Sequence, residues 1–133
     1  MRILFIHQNF PAQFKYLAPA LAKQHQVRIL TLNTRLTSSW QGIPVNHYSL
    51  QRISTKGIHP WIIDFEAQVI RGEATLYAAL NLRQQGFTPD VIIAHPGWGE
   101  SIALKDVWPN AKLGLYCEFF YHAEGADVGF DPE

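Results

Sequence analysis

Cysteine is almost missing from this chain: its 133 residues hold one, Cys117, so no internal disulfide can staple the fold, and a reducing, cytoplasmic setting fits. Charge of one sign is missing too. Eleven Lys and Arg balance eleven Asp and Glu, which leaves no broad cationic field and gives no reason to expect a nucleic-acid partner. No apolar run approaches the roughly 20 residues that a membrane-spanning helix needs, while peripheral contact with the inner membrane face stays compatible with the composition. The opening Met1-Arg2-Ile3-Leu4-Phe5-Ile6 is far shorter than the core of a secretory signal.

Several chemical signatures are absent as well. His7-Gln8-Asn9-Phe10-Pro11 contains no glycine, so it is not the G-x-G-x-x-G turn of a dinucleotide site, and nicotinamide or flavin chemistry is disfavoured. There is no P-loop and no H-E-x-x-H pair, and the six histidines are scattered without ligand-like spacing. Neither a cofactor nor a metal is expected.

What is there suits one compact domain, since 47% of the residues are hydrophobic and 17% charged. Ile3 to Ile6 is an unbroken apolar run, the pattern of a strand buried on both faces of a parallel sheet. Asn9 then predicts a helix cap with Pro11 in the first turn, and Phe10, Phe14, Leu17 and Leu21 form one stripe that Pro19 should bend. Val27 to Leu32 and Val45 to Leu50 read as further strands, and Gln51 to Pro60 as a loop. From Trp61 to Gln85 the apolar positions Trp61, Phe65, Val69, Leu76 and Leu80, with Gly72 among them, predict the inward face of the longest helix, closed by Gly86. Val91 to Ala94 reads as a buried strand, Trp98 to Val107 as a short helix, and Leu113 to Cys117 as a last strand. The alternation predicts an α/β, Rossmann-like, three-layer domain with a mainly parallel sheet and the first strand central.

Ligands of such sheets sit beyond the carboxyl ends of the strands. Three segments converge there: His7-Gln8-Asn9, His95-Pro96-Gly97-Trp98-Gly99-Glu100, and Glu118 with its aromatic neighbours up to Tyr121. His95 precedes a sharp turn at the strand mouth, which suits a donor or acceptor for a sugar hydroxyl; a histidine bonded only to its own loop is the alternative. Gly97 and Gly99 allow close backbone approach to a ligand, or serve turn geometry alone. Glu118 leaves the last strand into an aromatic cluster, where a carboxylate needs a partner or a ligand unless solvent reaches it. Trp98 and Tyr121 offer flat faces for a sugar ring, or simple packing. Cys117, closing a strand, reads as a small core hydrophobe and not as a nucleophile.

Three stretches together resemble bacterial family-four glycosyltransferases: Met1 to Pro11, Pro89-Asp90-Val91-Ile92-Ile93-Ala94-His95-Pro96-Gly97-Trp98-Gly99-Glu100, and Tyr116-Cys117-Glu118-Phe119-Phe120-Tyr121 to Asp131-Pro132-Glu133. The resemblance implies the amino-terminal, acceptor-side half of a GT-B architecture, in which two Rossmann-like domains face each other across a cleft. It implies transfer from a nucleotide-sugar donor to a glycan or lipid-linked acceptor with retention of configuration, and a donor-binding glutamate pair in a second domain outside residues 1–133. By the same resemblance His95-Pro96 looks like the family's loop after the fourth strand, and Glu118 stands where the family has a cleft histidine. His95 and Glu118 are then the catalytic-site candidates, and His7, Gln8, Asn9, Gly97, Trp98, Gly99, Glu100 and Tyr121 the donor- or acceptor-binding ones. Glycines that approach the donor diphosphate in many members are replaced here by His7-Gln8-Asn9. A Rossmann-like binding module without chemistry, or a flavodoxin-like domain, would share the sheet; the second lacks here an acidic phosphoacceptor cluster and a phosphate-binding first loop.

Overall fold

The structure, a computed structural model, describes residues 1–118; Phe119, Phe120, Tyr121 and the stretch to Glu133 lie outside the described residues. Six strands form one sheet: β1 (Arg2–Ile6), β2 (Gln26–Thr31), β3 (Ser39–Trp40), β4 (Ile43–His47), β5 (Val91–Ala94) and β6 (Lys112–Leu115). Their order is β3-β4-β2-β1-β5-β6, and every pairing is parallel except that of β3 with β4. The expected α/β sheet with an interior first strand is borne out. Phe5 pairs with Ile29 on one side and Ile93 on the other, so β1 has no free edge. Leu4 and Ile6 join the core on one face of the sheet, and Ile3 and Phe5 join the core on the other, which is why the run is unbroken. Each such fully buried side chain stabilises the fold by roughly 1.5–3 kcal/mol.

The first crossover differs from the expectation. A 3-10 turn at Ala12–Phe14 is followed by a separate helix, α1 (Leu17–Ala22), and Asn9 caps neither. Pro19 lies in the first turn of α1, where its missing N–H has no intrahelical acceptor anyway, so it bends nothing. Phe10 and Phe14 are buried beside Phe5, whereas Leu17 is exposed. β4 begins and ends earlier than expected, and β3, a two-residue antiparallel edge, has no period long enough to read from sequence.

The long helix is present as α2 (Ile63–Gln84), after a 3-10 turn at Pro60–Ile62, but it is rotated from its expected setting. The buried positions are Ile70, Gly72, Thr75, Ala79 and Leu82. Phe65, Val69 and Leu80, expected inward, are exposed, and Trp61 is 91% exposed. Taking about 100° per residue, the arc of Gly72, Thr75, Ala79 and Leu82 lies about a quarter-turn from the arc of Phe65, Val69, Leu76 and Leu80. Close approach explains the choice of small residues: a Cβ on Gly72 would stand 3.0 Å from the carbonyl oxygen of Gly99, and one on Gly99 would stand 2.1 Å from that of Gln68. Only a thin helix face lets the loop after β5 dock. The helix ends as expected at Gly86, φ +83°, with Phe87 N–H donating to the Leu82 carbonyl and Gly86 N–H to that of Arg83.

After β5 the chain makes a 3-10 turn at Pro96–Trp98 and a four-residue helix, α3 (Leu104–Val107), in place of the longer helix expected from Trp98. β6 stops at Leu115 and is an edge strand, so Cys117 is exposed, against the expectation of a core thiol. No helix among the described residues is long and apolar enough to cross a membrane.

Candidate functional site

The chain runs from β1 outward through β2 to β4, then returns by α2 to β5 on the other side of β1. The order therefore reverses between β1 and β5, and a crevice opens at their carboxyl ends. His7 leaves β1 and His95 leaves β5 at that place, with ring centroids 5.6 Å apart and the planes nearly perpendicular.

Both imidazoles are fixed the same way. The Asn9 amide donates to Nδ1 of His7 at 3.0 Å, and the Gly97 amide donates to Nδ1 of His95 at 3.1 Å. An Nδ1 that accepts carries no proton, so in each ring Nε2 bears the hydrogen and is a donor. Both Nε2 atoms are buried without a hydrogen-bond partner in the protein. Burial, then the nearby His95, lower the pKa of His7 to about 4 against a smaller upward pull from Glu118, so His7 is neutral at physiological pH. Glu118 stands at the rim, half-exposed, with Oε2 3.6 Å from His95 Nε2 and Oε1 bonded by the Gln13 side-chain amide. It does not leave a buried strand as expected: β6 is an edge, and Tyr116 and Cys117 intervene.

The first loop is held from β2. Thr31 Oγ1 donates to the carbonyls of His7 and Gln8 at 2.8 and 3.1 Å, and Asn33 Nδ2 bonds the Phe10 carbonyl at 2.9 Å. Gln8 and Asn9 then line an open cavity of about 490 Å³ with Leu32, Asn33, Thr34 and Arg35. Sequence reasoning missed Thr31, Asn33 and Arg35; the available signal was a polar run, Thr31 to Arg35, at the carboxyl end of a buried strand. A second cavity, lined by Arg83, Asp90, Trp108 and Asn110, lies at the opposite strand ends and away from these loops.

Of the glycines in the second loop, Gly97 places its amide on His95, and Gly99, φ +93°, lets the loop turn against α2. Trp98 tilts over His95 with ring centroids 6.1 Å apart, and the Arg71 guanidinium lies over the indole, 5.8 Å from its centroid. Glu100, expected to face ligand, is fully buried instead. Its Oε1 accepts from the Tyr48 hydroxyl at 2.8 Å, and burial raises its pKa against the opposing pull of that bond, of the Gln8 amide and of its own amide. The same burial holds the Tyr48 hydroxyl above the usual phenol range. Tyr121 lies outside the described residues.

The arrangement offers two neutral N–H donors and a carboxyl acceptor around one crevice, a set that matches a hydroxyl group better than an anion, which Glu118 would repel. No group of three or more His, Cys, Asp or Glu placed to hold a metal ion occurs among the described residues.

A family model described as "Glycosyl transferase family 4 group" matches residues 23–133, a span that includes β2 to β6, His95 and Glu118. Comparison with curated proteins gives no match. With most of its length matched, the chain belongs to the glycosyl transferase family 4 group and serves glycosyl transfer.

Proposed function

We propose that residues 1–133 form the acceptor-side half of a GT-B enzyme that moves a sugar from a nucleotide donor, with retention of configuration, to a glycan or lipid-linked acceptor. The observation that carries the reading is the pair of buried, unpartnered Nε2–H donors beside Glu118 at the reversal of strand order. His95 donates to a sugar hydroxyl oxygen while Glu118 accepts that hydroxyl's hydrogen, and His7 donates from the β1 side. Trp98, 38% exposed, gives the ring a flat apolar face. The side-chain amides of Gln8 and Asn9 and the Arg35 guanidinium in the neighbouring cavity suit the polar, anionic end of the donor. A second Rossmann-like domain supplies the opposite wall, so residues 1–133 alone bind but do not turn over.

The reading includes peripheral attachment to the cytoplasmic face of a membrane. Ile53, Trp61, Ile62 and Phe65 are all exposed, and Arg52 and Lys56 lie in the same segment, which Thr55 ties to Glu66 at the start of α2. Aromatic and aliphatic side chains next to basic ones suit the headgroup boundary.

The test is transfer from a panel of nucleotide sugars by the enzyme carrying both halves, compared with residues 1–133. Turnover by the two-domain enzyme and none by the fragment is expected. Robust turnover by the fragment, or product of inverted configuration, overturns the proposal.

A further inference from the structure

One buried titratable group has no part in that chemistry. Glu100 is fully buried, so it cannot touch a substrate, yet Oε2 has no hydrogen-bond partner in the protein. A carboxyl group taken out of water is unfavourable at a position that only needs filling, where leucine or methionine would pack without the penalty. Its contacts show what the polar group does there. Oε1 accepts from the Tyr48 hydroxyl at the exit of β4, the backbone amide of Gln8 faces the carboxyl from the exit of β1, and the backbone carbonyl of Glu100 accepts from Thr75 Oγ1 on α2 at 2.9 Å. The Arg71 guanidinium adds a favourable field from the same helix. Glu100 thus joins the loop that begins at His95 to three elements around the crevice, and one of them, the exit of β1, carries the other imidazole, since Gln8 follows His7.

We propose that Glu100 is a positioning residue: its buried carboxyl group, aimed by Tyr48, holds the His7-Gln8-Asn9 loop against the His95–Glu100 loop, so that the two Nε2–H donors share one crevice. The inference rests on the glycosyltransferase reading only in naming what the loops serve. Contacts of the imidazoles with each other and with Glu118 depend on the spacing of those loops, and so does the exclusion of water that keeps His7 neutral.

The test is NMR of the 133-residue chain without sugar: amide exchange at Gln8, and titration of the His7 ring, which faces His95 and Glu118. In the wild type the Gln8 amide exchanges at least about tenfold slower than in an unfolded peptide. In Glu100→Leu that protection is lost and the His7 pKa rises by about one unit or more as water enters, while the amides of Leu4, Phe5 and Ile29 keep theirs. Glu100→Gln, which retains an acceptor oxygen, restores both readouts to wild-type values. If Glu100→Leu does not fold, Tyr48→Phe takes its place: losing the hydroxyl that aims the carboxyl speeds exchange at Gln8 and leaves the β1 core unchanged. A Gln8 amide unprotected in the wild type overturns the proposal, and so does a folded Leu or Phe variant with Gln8 exchange and His7 titration unaltered. Because no readout uses a sugar, failure here leaves the transfer reading standing, and failure of transfer leaves the clamp standing.

Discussion

Acid should expose the burial of His7 as a loss of stability. Its folded pKa of about 4 lies below the ordinary 6.5, so between those values the unfolded chain binds a proton that the native chain refuses. The contribution is complete above pH 6.5, falls as pH drops through 6.5 toward 4, and is fully lost below 4. At about 1.36 kcal/mol per unit the shift corresponds to roughly 3 kcal/mol, which partial solvent screening brings to on the order of 2 kcal/mol. Glu100 acts the opposite way: its raised pKa adds stability as pH falls toward its unfolded value, so the total profile is flatter than His7 alone would make it. Comparison with His7→Asn separates the two, since the Asn oxygen can still accept from the Asn9 amide but does not titrate. Urea unfolding followed by tryptophan fluorescence from pH 4.5 to 8 should therefore give about 2 kcal/mol more loss in the wild type than in His7→Asn. Parallel pH profiles for the two proteins would refute the burial argument.

Glu118→Gln in the two-domain enzyme should lower kcat/KM about ten- to a hundredfold without moving the unfolding midpoint, because the side chain is half-exposed; steady-state kinetics that match the wild type would refute its contact with substrate. Gly99→Ala should destabilise the domain by about 3 kcal/mol or more, since φ is +93° and the new Cβ would meet the Gln68 backbone at 2.1 Å, and an unchanged urea midpoint would count against that packing. Trp61→Ala and Phe65→Ala should leave the midpoint within about 0.5 kcal/mol and reduce co-sedimentation with anionic vesicles severalfold, whereas undiminished sedimentation would remove the membrane face from the reading.

The centre of the sheet was legible because its inner strands are packed on both sides. Ile3 to Ile6 and Val91 to Ala94 cannot be read as surface, and a helix between them leaves a parallel crossover as the economical solution. The setting of α2 was not legible, and the cause is packing rather than propensity. Apolar periodicity marks where a helix could bury oil, but here the inward arc had to be thin enough for the loop carrying Gly99 to lie against it. Gly72, Thr75 and Ala79 satisfy that requirement and contribute little apolar signal, while Phe65, Val69 and Leu80 contribute much and face out. A periodicity argument weights residues by hydrophobicity, so it favours the wrong arc wherever closeness of approach decides.

The candidate site shows a different limit, because its local chemistry repeats elsewhere in the chain. His7, His59 and His95 each accept from the amide two residues on, at 3.0, 3.2 and 3.1 Å. His59-Pro60 and His95-Pro96 even share the proline and the 3-10 turn that follows. Read residue by residue, the three histidines are equivalent: each ring is locked with its Nε2 hydrogen outward. His59 is exposed, so water satisfies that hydrogen at no cost and the geometry is only a cap. His7 and His95 are buried at neighbouring strand ends, where an unpaired N–H is unfavourable by roughly 1–3 kcal/mol until something accepts from it. The motif is therefore legible in sequence, but the demand for a ligand is not, because that demand arises only when the order of strands sets two such rings side by side out of water.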